Sequence, residues 1–379
     1  MRSKLVMPAL AVVLAIVLAA CGSSSGGGDT SGKGDTAAVD AAKTATEAAS
    51  AELTFTAPGP AIDAAKARGK SIHIVAVNLA VPILAHVAKY VKEVGATLGI
   101  KVTVSNADDQ VTGMQQGIQV GITQKSDVIL ILGVPTDLVR DKLRDAKAAG
   151  IPVINVLNNP IDMNAPGQGA GEEFYASVGT DLELGGRLIA SKAVLDTNGK
   201  ANVLFVDSEG LAPEPPVVKG IKEVLEACKG CKLQVKNVPL ADWGTQITPL
   251  VVTSIRANPN LNYVLTLFDG MAIFATAGVQ QAGAVGKVHV SSHNGGSAGL
   301  ALVKQGDVFT ADPGVSEEWS AWATVDQSMR AMLKLPPGNP LVPYRYLDTA
   351  MLKDIDVNDE RAVYGDSFIE GFKKLWGIA

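Results

Sequence analysis

The sequence predicts an α/β fold with two successive lobes of like architecture, each a parallel sheet covered by helices. From Ser71 onward, short apolar and β-branched runs alternate with longer segments that have a helical period. The runs are apolar at nearly every position, which is typical of strands whose two faces are both covered. The alternation restarts after a polar loop at 158–173, and the seam between the two blocks falls near 176–186.

The first block opens on the strand IHIVAV at 72–77. A helix follows over 82–98, because its apolar side chains recur at helical spacing: Ile83, Leu84, Val87, Val91, Val94 and Leu98. The other elements of this block, in order, are a strand at 101–105, a helix at 111–124, a strand at 127–132, a helix at 138–150 that ends in glycine, and a strand at 152–157.

The second block repeats this pattern. Its predicted strands are 174–178, 201–206, 232–238, 262–267 and 287–292. Its predicted helices are 182–196, 216–227, 245–257, 270–282 and 297–305. In a last long helix, apolar residues follow a core-facing period: Trp322, Val325, Met329 and Met332.

The N-terminus has the layout of an export signal. Arg2 and Lys4 precede the apolar run 5–20, which is too short to span a bilayer comfortably and ends in small residues before Cys21. This junction resembles the lipobox of bacterial lipoproteins, which implies cleavage after residue 20 and a diacylglycerol on the Cys21 sulfur. The alternative is an ordinary signal peptide with an incidental cysteine. Residues 21–70 begin with a Gly- and Ser-rich stretch, so we expect a flexible linker there.

Composition excludes several functions. The net charge of −5 argues against a nucleic-acid surface, and the chain has no basic run with interleaved aromatics. It has no Walker-type phosphate loop and no H-E-x-x-H motif. Cys228 and Cys231 form a C-x-x-C pair that could be redox-active, half of a zinc site, or a disulfide. A small structural disulfide is favoured, because the pair follows a predicted helix and an exported protein meets an oxidising environment.

From Ser71 to the C-terminus the chain resembles the type I periplasmic sugar-binding proteins of ABC transporters, the ribose-binding-like group. The resemblance is distributed over IHIVAVN, DVILILGVPTDLVRDKLRDAKAAGIPVINV, VGTDLELGGRLIAS, ADWGTQITPLVVTSIRANPNLNYVLTLFDGMAIFATAGVQQAG and VHVSSHNGGSAGLALVKQG. It implies two Rossmann-like lobes joined by a three-stranded hinge, with ligand held at the C-terminal ends of the strands and trapped by hinge closure.

The resemblance also implies where the chain crosses between the lobes. The crossings are expected near 178–180, 311–313 and 340–344. The N-terminal lobe would then comprise 71–178 and 313–340. The C-terminal lobe would comprise 179–312 and 341–379.

Six residues match cleft positions of the family: Asn78, Asn158, Trp243, Asp269, Asn294 and Asp312. Each has a plainer reading. Asn78 and Asn158 can hold turn backbone, Trp243 can be a core or rim aromatic, and Asp269 can cap the helix that follows it.

The chain departs from the family where an Asp-Arg pair is usual, since Leu157 and Asn158 stand there. Neutral amide and indole contacts therefore predict a small, mostly uncharged ligand, with sugars and polyols first.

An enzyme is the weaker reading. Residues 295–299, GGSAG, fit the G-x-S-x-G nucleophile elbow around Ser297. In that fold the catalytic histidine follows the serine, whereas the four histidines here are His73, His86, His289 and His293. We expect no enzymatic activity, no cofactor and no metal.

The expected protein is a monomeric, exported lipoprotein that binds a small carbohydrate-like solute and delivers it to the transmembrane subunits of an ABC permease. The alternative is a sensing protein that presents a non-sugar small molecule to a membrane receptor. A LacI-type repressor would share the fold, but the export signal and the lack of an N-terminal helix-turn-helix argue against it.

Overall fold

Ten strands in two parallel five-stranded sheets organise the computed structural model, which describes residues 35–157, 174–211, 213–338 and 340–378. The first sheet contains β1 (Ser71–Ala76), β2 (Lys101–Asn106), β3 (Val128–Leu132), β4 (Val153–Val156) and β5 (Ala176–Val178). The second contains β6 (Asn202–Asp207), β7 (Lys232–Asn237), β8 (Tyr263–Thr266), β9 (His289–Ser291) and β10 (Phe309–Ala311).

Helices connect and cover the strands. They are α1 (Thr36–Ser50), α2 (Pro82–Thr97), α3 (Val111–Thr123), α4 (Thr136–Ala148), α5 (Leu182–Asp196), α6 (Glu214–Ala227), α7 (Trp243–Ala257), α8 (Asp269–Gln281), α9 (Ser297–Gln305), α10 (Glu317–Met332), α11 (Thr349–Leu352), α12 (Glu360–Tyr364) and α13 (Ser367–Trp376). None of the helices in the described ranges is long and apolar enough to cross a membrane.

The two sheets have the same topology. Their strand orders are β2-β1-β3-β4-β5 and β7-β6-β8-β9-β10, so each sheet reads 2-1-3-4-5 when its strands are counted along the chain. Every residue of β3 and β4 is buried, as the continuous apolar runs of the sequence predict. The predicted α/β fold with two lobes of like architecture is therefore confirmed.

Three of the segments that pass between the two sheets lie side by side. Gly179 forms a parallel bridge with Leu341, and Gly314 forms an antiparallel bridge with Arg345. The amide of Val342 donates to the carbonyl of Gly179 at 2.8 Å, and the amide of Arg345 donates to that of Gly314 at 2.8 Å. Gly179 and Leu341 lie within two of the expected crossings, 178–180 and 340–344, whereas Gly314 and Arg345 each lie one residue beyond the expected ranges.

The segment 35–70 is not a flexible linker, which corrects the expectation for 21–70; residues 21–34 lie outside the described residues. α1 contacts α5, and its Ala42 and Thr46 are buried. Farther along, Leu53 is buried and the ring of Phe55 lies 4.7 Å from that of Phe372. The Ala-rich composition hid this packing, because a small side chain such as Ala42 buries little apolar area and yet fits a close helix contact.

The C-terminal segment also departs from the expected lobe boundary, which assigned all of 341–379 to the C-terminal lobe. α11 contacts α9, beside the second sheet, whereas α13 packs on α10, which contacts the first sheet. The rings of Trp319 and Phe368 stack at 5.0 Å, and those of Trp322 and Trp376 stack at 5.1 Å. The aromatic face of α13 explains its place, because it buries large rings against those of α10.

Candidate functional site

In each sheet there is one pair of neighbouring strands from which the crossover connections run in opposite directions. In a 2-1-3-4-5 sheet this switch point lies between the first and third strands, here β1 and β3 in one sheet and β6 and β8 in the other. Val206 of β6 is paired with Thr266 of β8, so the residues that follow these two strands emerge side by side. Ligands of open α/β sheets bind at such carboxyl ends.

Two aromatic side chains lie at the switch point of the second sheet. Trp243 begins α7 and is half-buried, and its Nε1 donates to the hydroxyl of Ser208 at 3.1 Å and to the carbonyl of Val238 at 3.3 Å. Its ring centroid lies 6.1 Å from that of Phe268, which follows β8. Trp243 is therefore held beside the end of β6 and not inside the core of the sheet.

Asp269 and Asn294, which the resemblance separately places at the cleft, contact each other in the structure. The Nδ2 of Asn294 donates to Asp269 Oδ1 at 3.3 Å, and the amides of Gly270 and Gly296 donate to its carboxylate at 2.8 and 3.0 Å. Burial raises the pKa of Asp269, and these donors oppose that rise. Asp269 is the first residue of α8 and not its N-cap, which is Phe268, so its carboxylate accepts from the neighbouring Gly270 amide without capping the helix.

Asp312 follows β10 and is fully buried. Neither of its carboxylate oxygens has a hydrogen-bond partner among the described residues. Burial, followed by the charge of Asp269, raises its pKa well above the usual range; the nearby amide dipole of Gly295 opposes this rise, although it does not meet hydrogen-bond geometry with either oxygen. A Cβ at Gly299 would lie 2.4 Å from Asp312 Oδ2 and 3.5 Å from Asp269 Oδ2, so the two carboxylates converge over this glycine.

His293 shares this buried corner. Its Nδ1 lies 3.2 Å from the Tyr344 hydroxyl, and its ring lies 5.6 Å from that of Phe268. Burial lowers the pKa of His293 to about 4, so the imidazole is neutral near pH 7. Ser297 is exposed at the start of α9, and the nitrogen contact of His293 is with Tyr344.

Asn78 lies at the switch point of the first sheet. Its Nδ2 donates to Asp109 Oδ2 at 2.5 Å, and its Oδ1 accepts from the amide of Ala80 at 2.8 Å. Asp108 and Asp109 both have positive φ, at 49° and 60°, a conformation that is uncommon outside glycine and recurs at ligand sites. Asn78 therefore also stabilises the turn in which it lies. Asn158 lies outside the described residues.

Three residues of this region are not among the predicted site residues: Asp207, Ser208 and Tyr364. Asp207 ends β6 and Ser208 follows it, so both lie at the carboxyl end of a predicted strand, where ligands of open α/β sheets bind. Burial raises the pKa of Asp207, whose Oδ1 accepts from the amide of Ser208 at 2.7 Å. Tyr364 reaches the site from α12 and donates to the carbonyl of Gly295 at 2.9 Å. No local signal in the sequence indicates that contact.

The remaining predicted sites lie elsewhere. Cys21 is outside the described residues. Cys228 and Cys231 are joined by a disulfide in the turn between α6 and β7. Within the described ranges no group of three or more His, Cys, Asp or Glu side chains is arranged to hold a metal ion. A groove of about 610 Å³ lies away from the strand ends, with Tyr90 and Trp322 among its lining residues.

Several solved structures that superpose on this chain are of solute-binding proteins. A Bacillus halodurans ABC transporter solute-binding protein with bound myo-inositol superposes with a TM-score of 0.68 at 19% identity, over 79% of this chain and 99% of that one. A Thermotoga lettingae 5-methylthioribose transporter solute-binding protein gives 0.70 at 20%, over 82% and 100%. An Actinobacillus succinogenes protein with bound D-allose gives 0.67 at 23%, over 75% and 99%. At these identities the likeness establishes the fold alone.

Sequence comparison agrees with this fold. A putative rhizopine-binding protein of Rhizobium meliloti is 29% identical over 189 residues, which is 49% of this chain and 59% of that protein. The matched region therefore spans less than two thirds of the relative. The family described as periplasmic binding protein domain matches residues 72–329, which is more than half of the chain. The chain therefore belongs to the periplasmic binding protein domain family.

Proposed function

We propose that this protein captures a small sugar or polyol between its two sheets for an ABC importer. Hinge closure traps the solute, and the closed form delivers it to the permease. The observation that carries the proposal is the cluster at the second switch point, where Trp243 and Phe268 stand beside Asp269 and Asn294. Aromatic faces with a few fixed polar groups are the usual lining of a carbohydrate site.

The first sheet supplies an opposing polar edge. Asn78 and Asp109 are hydrogen-bonded at the end of its switch point, so their remaining lone pairs and protons are held in fixed positions. A solute that touches both edges would favour the closed arrangement, since only differential contacts shift such an equilibrium. The bridged segments at Gly179, Gly314 and Leu341 are the hinge in this proposal.

The proposal includes anchoring and location. A diacylglycerol on Cys21 would hold the protein at the outer face of the cell membrane, where it would act as a monomer. The family is one of extracytoplasmic binding proteins, which supports this location. The run of small residues before Cys21 supports the lipid.

Thermal melts against a solute panel test the proposal. The protein would begin at Gly22, so that every described residue is kept. The panel holds pentoses, hexoses, inositols, sugar alcohols, nucleosides, amino acids and small aromatic acids. A ligand at about 100 times its dissociation constant adds about 2.7 kcal/mol of stability, which is visible as a melting shift. We expect the largest shift from a sugar or polyol. A shift from non-carbohydrates alone would contradict the proposal.

A further inference from the structure

The segment 35–62, which we call the strap, contacts both lobes of the molecule. Its first half, α1, lies on the second lobe, where it contacts α5 and α6, and α5 in turn contacts β8, β9 and β10. The Oδ2 of Asp35 accepts from the amide of Lys229 at 2.9 Å, and Ala42 and Thr46 are buried. The first half of the strap is therefore docked on the lobe that contains the second sheet.

The second half of the strap is docked on the first lobe. Leu53 is buried, and the ring of Phe55 lies 4.7 Å from that of Phe372. The carbonyl of Pro60 accepts from Arg330 Nη2 at 2.9 Å. These partners belong to α10 and α13, and α10 contacts β3, β4 and β5 of the first sheet. One short stretch of chain is thus fixed to both lobes.

The strap passes from one lobe to the other beside the bridged segments of the hinge. The carbonyl of Ala49 accepts from the amide of Tyr346 at 2.8 Å. Tyr346 directly follows Arg345, which is bridged to Gly314. The strap is therefore a further chain crossing at the hinge. The resemblance does not imply this crossing, because it covers the chain only from Ser71 onward.

The link between the two docked halves is short. Only Ala51 and Glu52 separate Ser50, the last residue of α1, from the buried Leu53. The backbone of Ala51 is already extended, with φ −60° and ψ 154°. Three residue steps span at most about 10–11 Å when fully extended. The surfaces that carry the two halves cannot separate beyond this reach unless one half undocks, which would expose buried apolar side chains to water.

We propose that the strap restrains the relative motion of the two lobes, so that the hinge samples a narrower range of arrangements than its bridged segments alone would allow. This inference rests on the hinge of the proposed function, and it concerns the range of motion and not the solute class. Arrangements that cannot bind solute lower the apparent affinity in proportion to their population. By excluding such arrangements, the strap strengthens binding without contacting the solute.

A longer strap tests the restraint. Four Gly and Ser residues inserted between Ala51 and Glu52 add about 13 Å of reach and leave both docked halves unchanged in sequence. Double electron–electron resonance between spin labels on Asp137→Cys and Gln246→Cys measures the distance between the lobes. Both positions are exposed near the starts of α4 and α7, which follow strand ends of the first and second sheets. We expect the insertion to widen the distribution of this distance by several ångström in the absence of solute.

Two matched controls accompany this measurement. The same four residues inserted before Asp35 lengthen the chain outside the docked halves, so we expect the distribution of wild type. A second pair of variants needs no insertion. Phe55→Ala weakens the contact with the first lobe and should widen the distribution, whereas Thr56→Ala changes an exposed neighbour and should not. Thermal melts check that each variant folds.

The outcomes separate this inference from the proposed function. If the insertion between Ala51 and Glu52 gives the same distribution as the insertion before Asp35, the strap does not restrain the lobes and the inference is wrong. That result leaves the solute class untouched, because no solute is present. If none of the panel solutes changes the distance in wild type or in either insertion variant, the hinge closure of the proposed function is wrong.

Affinity provides the second measurement. Calorimetric titration with the solute that gives the largest melting shift compares wild type with the two insertion variants. We expect the insertion between Ala51 and Glu52 to weaken binding by about twofold or more, and the insertion before Asp35 to leave it unchanged. A widened distribution with an unchanged dissociation constant would contradict the effect of the strap on binding.

Discussion

Trp243 shows how a single side chain is fixed at the end of a strand while part of its ring stays exposed. Its indole nitrogen is satisfied by Ser208 and Val238, and its ring stays half-buried beside Phe268. A ring that is fixed at one end and open at the other has already lost the conformational entropy that binding would otherwise cost.

Replacing that ring should weaken binding more than folding. We expect Trp243→Ala to reduce affinity for the solute about tenfold or more, because an aromatic contact and its buried area are lost. Titration calorimetry measures the affinity, and a melt checks that the variant folds. Leu240→Ala is the control, since Leu240 lies three residues away and is 50% exposed. An unchanged dissociation constant for Trp243→Ala would remove this residue from the site.

The buried imidazole of His293 makes the stability of the fold depend on pH. Its pKa is about 4 in the fold against an ordinary 6.5, so the folded state holds the neutral ring while the unfolded chain takes up a proton. This contribution to stability is present above pH 6.5 and is lost as the pH falls toward 4, by up to about 3 kcal/mol. The acids with raised pKa act in the opposite direction, because the folded state holds their protons.

The difference in the free energy of unfolding between wild type and His293→Gln isolates the contribution of His293. Urea unfolding of wild type and of His293→Gln at several pH values between 4 and 6.5 measures it, because the contributions of the acids largely cancel. We expect the stability of wild type relative to the variant to fall as the pH falls. Parallel curves would show that His293 does not titrate on unfolding in this range.

The sequence could predict some site residues and not others for a physical reason. Asn78, Asp269 and Asn294 follow strands directly, so the strand pattern alone places them at a sheet edge. Asp207 also stands at the end of a strand, but it is not among the predicted site residues. Tyr364 meets the site through the carbonyl of Gly295, and such a long-range contact leaves no periodic signal in the chain.

Among the elements, strands and central helices followed their periodicity, whereas the terminal segments did not. β1 to β9 and α2 to α9 lie within a few residues of the predicted ranges. The small, polar composition of α1 and of the stretch after it predicts a linker. The structure holds this stretch at both ends: the carbonyl of Ala49 accepts from Tyr346, and the amide of Ile62 donates to Leu375.

Truncation within this stretch should therefore destabilise the protein. A chain that begins at Pro58 lacks α1, Leu53 and Phe55, and burial of the last two stabilises by roughly 1.5–3 kcal/mol each. We expect it to melt several degrees below a chain that begins at Asp35, which is the matched control. Calorimetry compares the two. Equal melting temperatures would mean that 35–57 contributes nothing to the fold, as a linker would.

At the scale of the whole molecule, two sheets of identical strand order each present a switch point to the proposed cleft. The fold class follows from the repeated α/β pattern, and the family match over 72–329 agrees with it. The position of α13 does not follow from this pattern. Its aromatic residues pack against those of α10, which is not adjacent to α13 in the sequence.

Amide hydrogen exchange with the solute that gives the largest melting shift tests the central claim, which is that one molecule bridges both sheets. The account predicts added protection in two places at once: near 77–81 and 107–110 beside the first sheet, and near 207–209, 267–270 and 293–296 beside the second. Protection beside one sheet only, or confined to the groove lined by Tyr90 and Trp322, would contradict it.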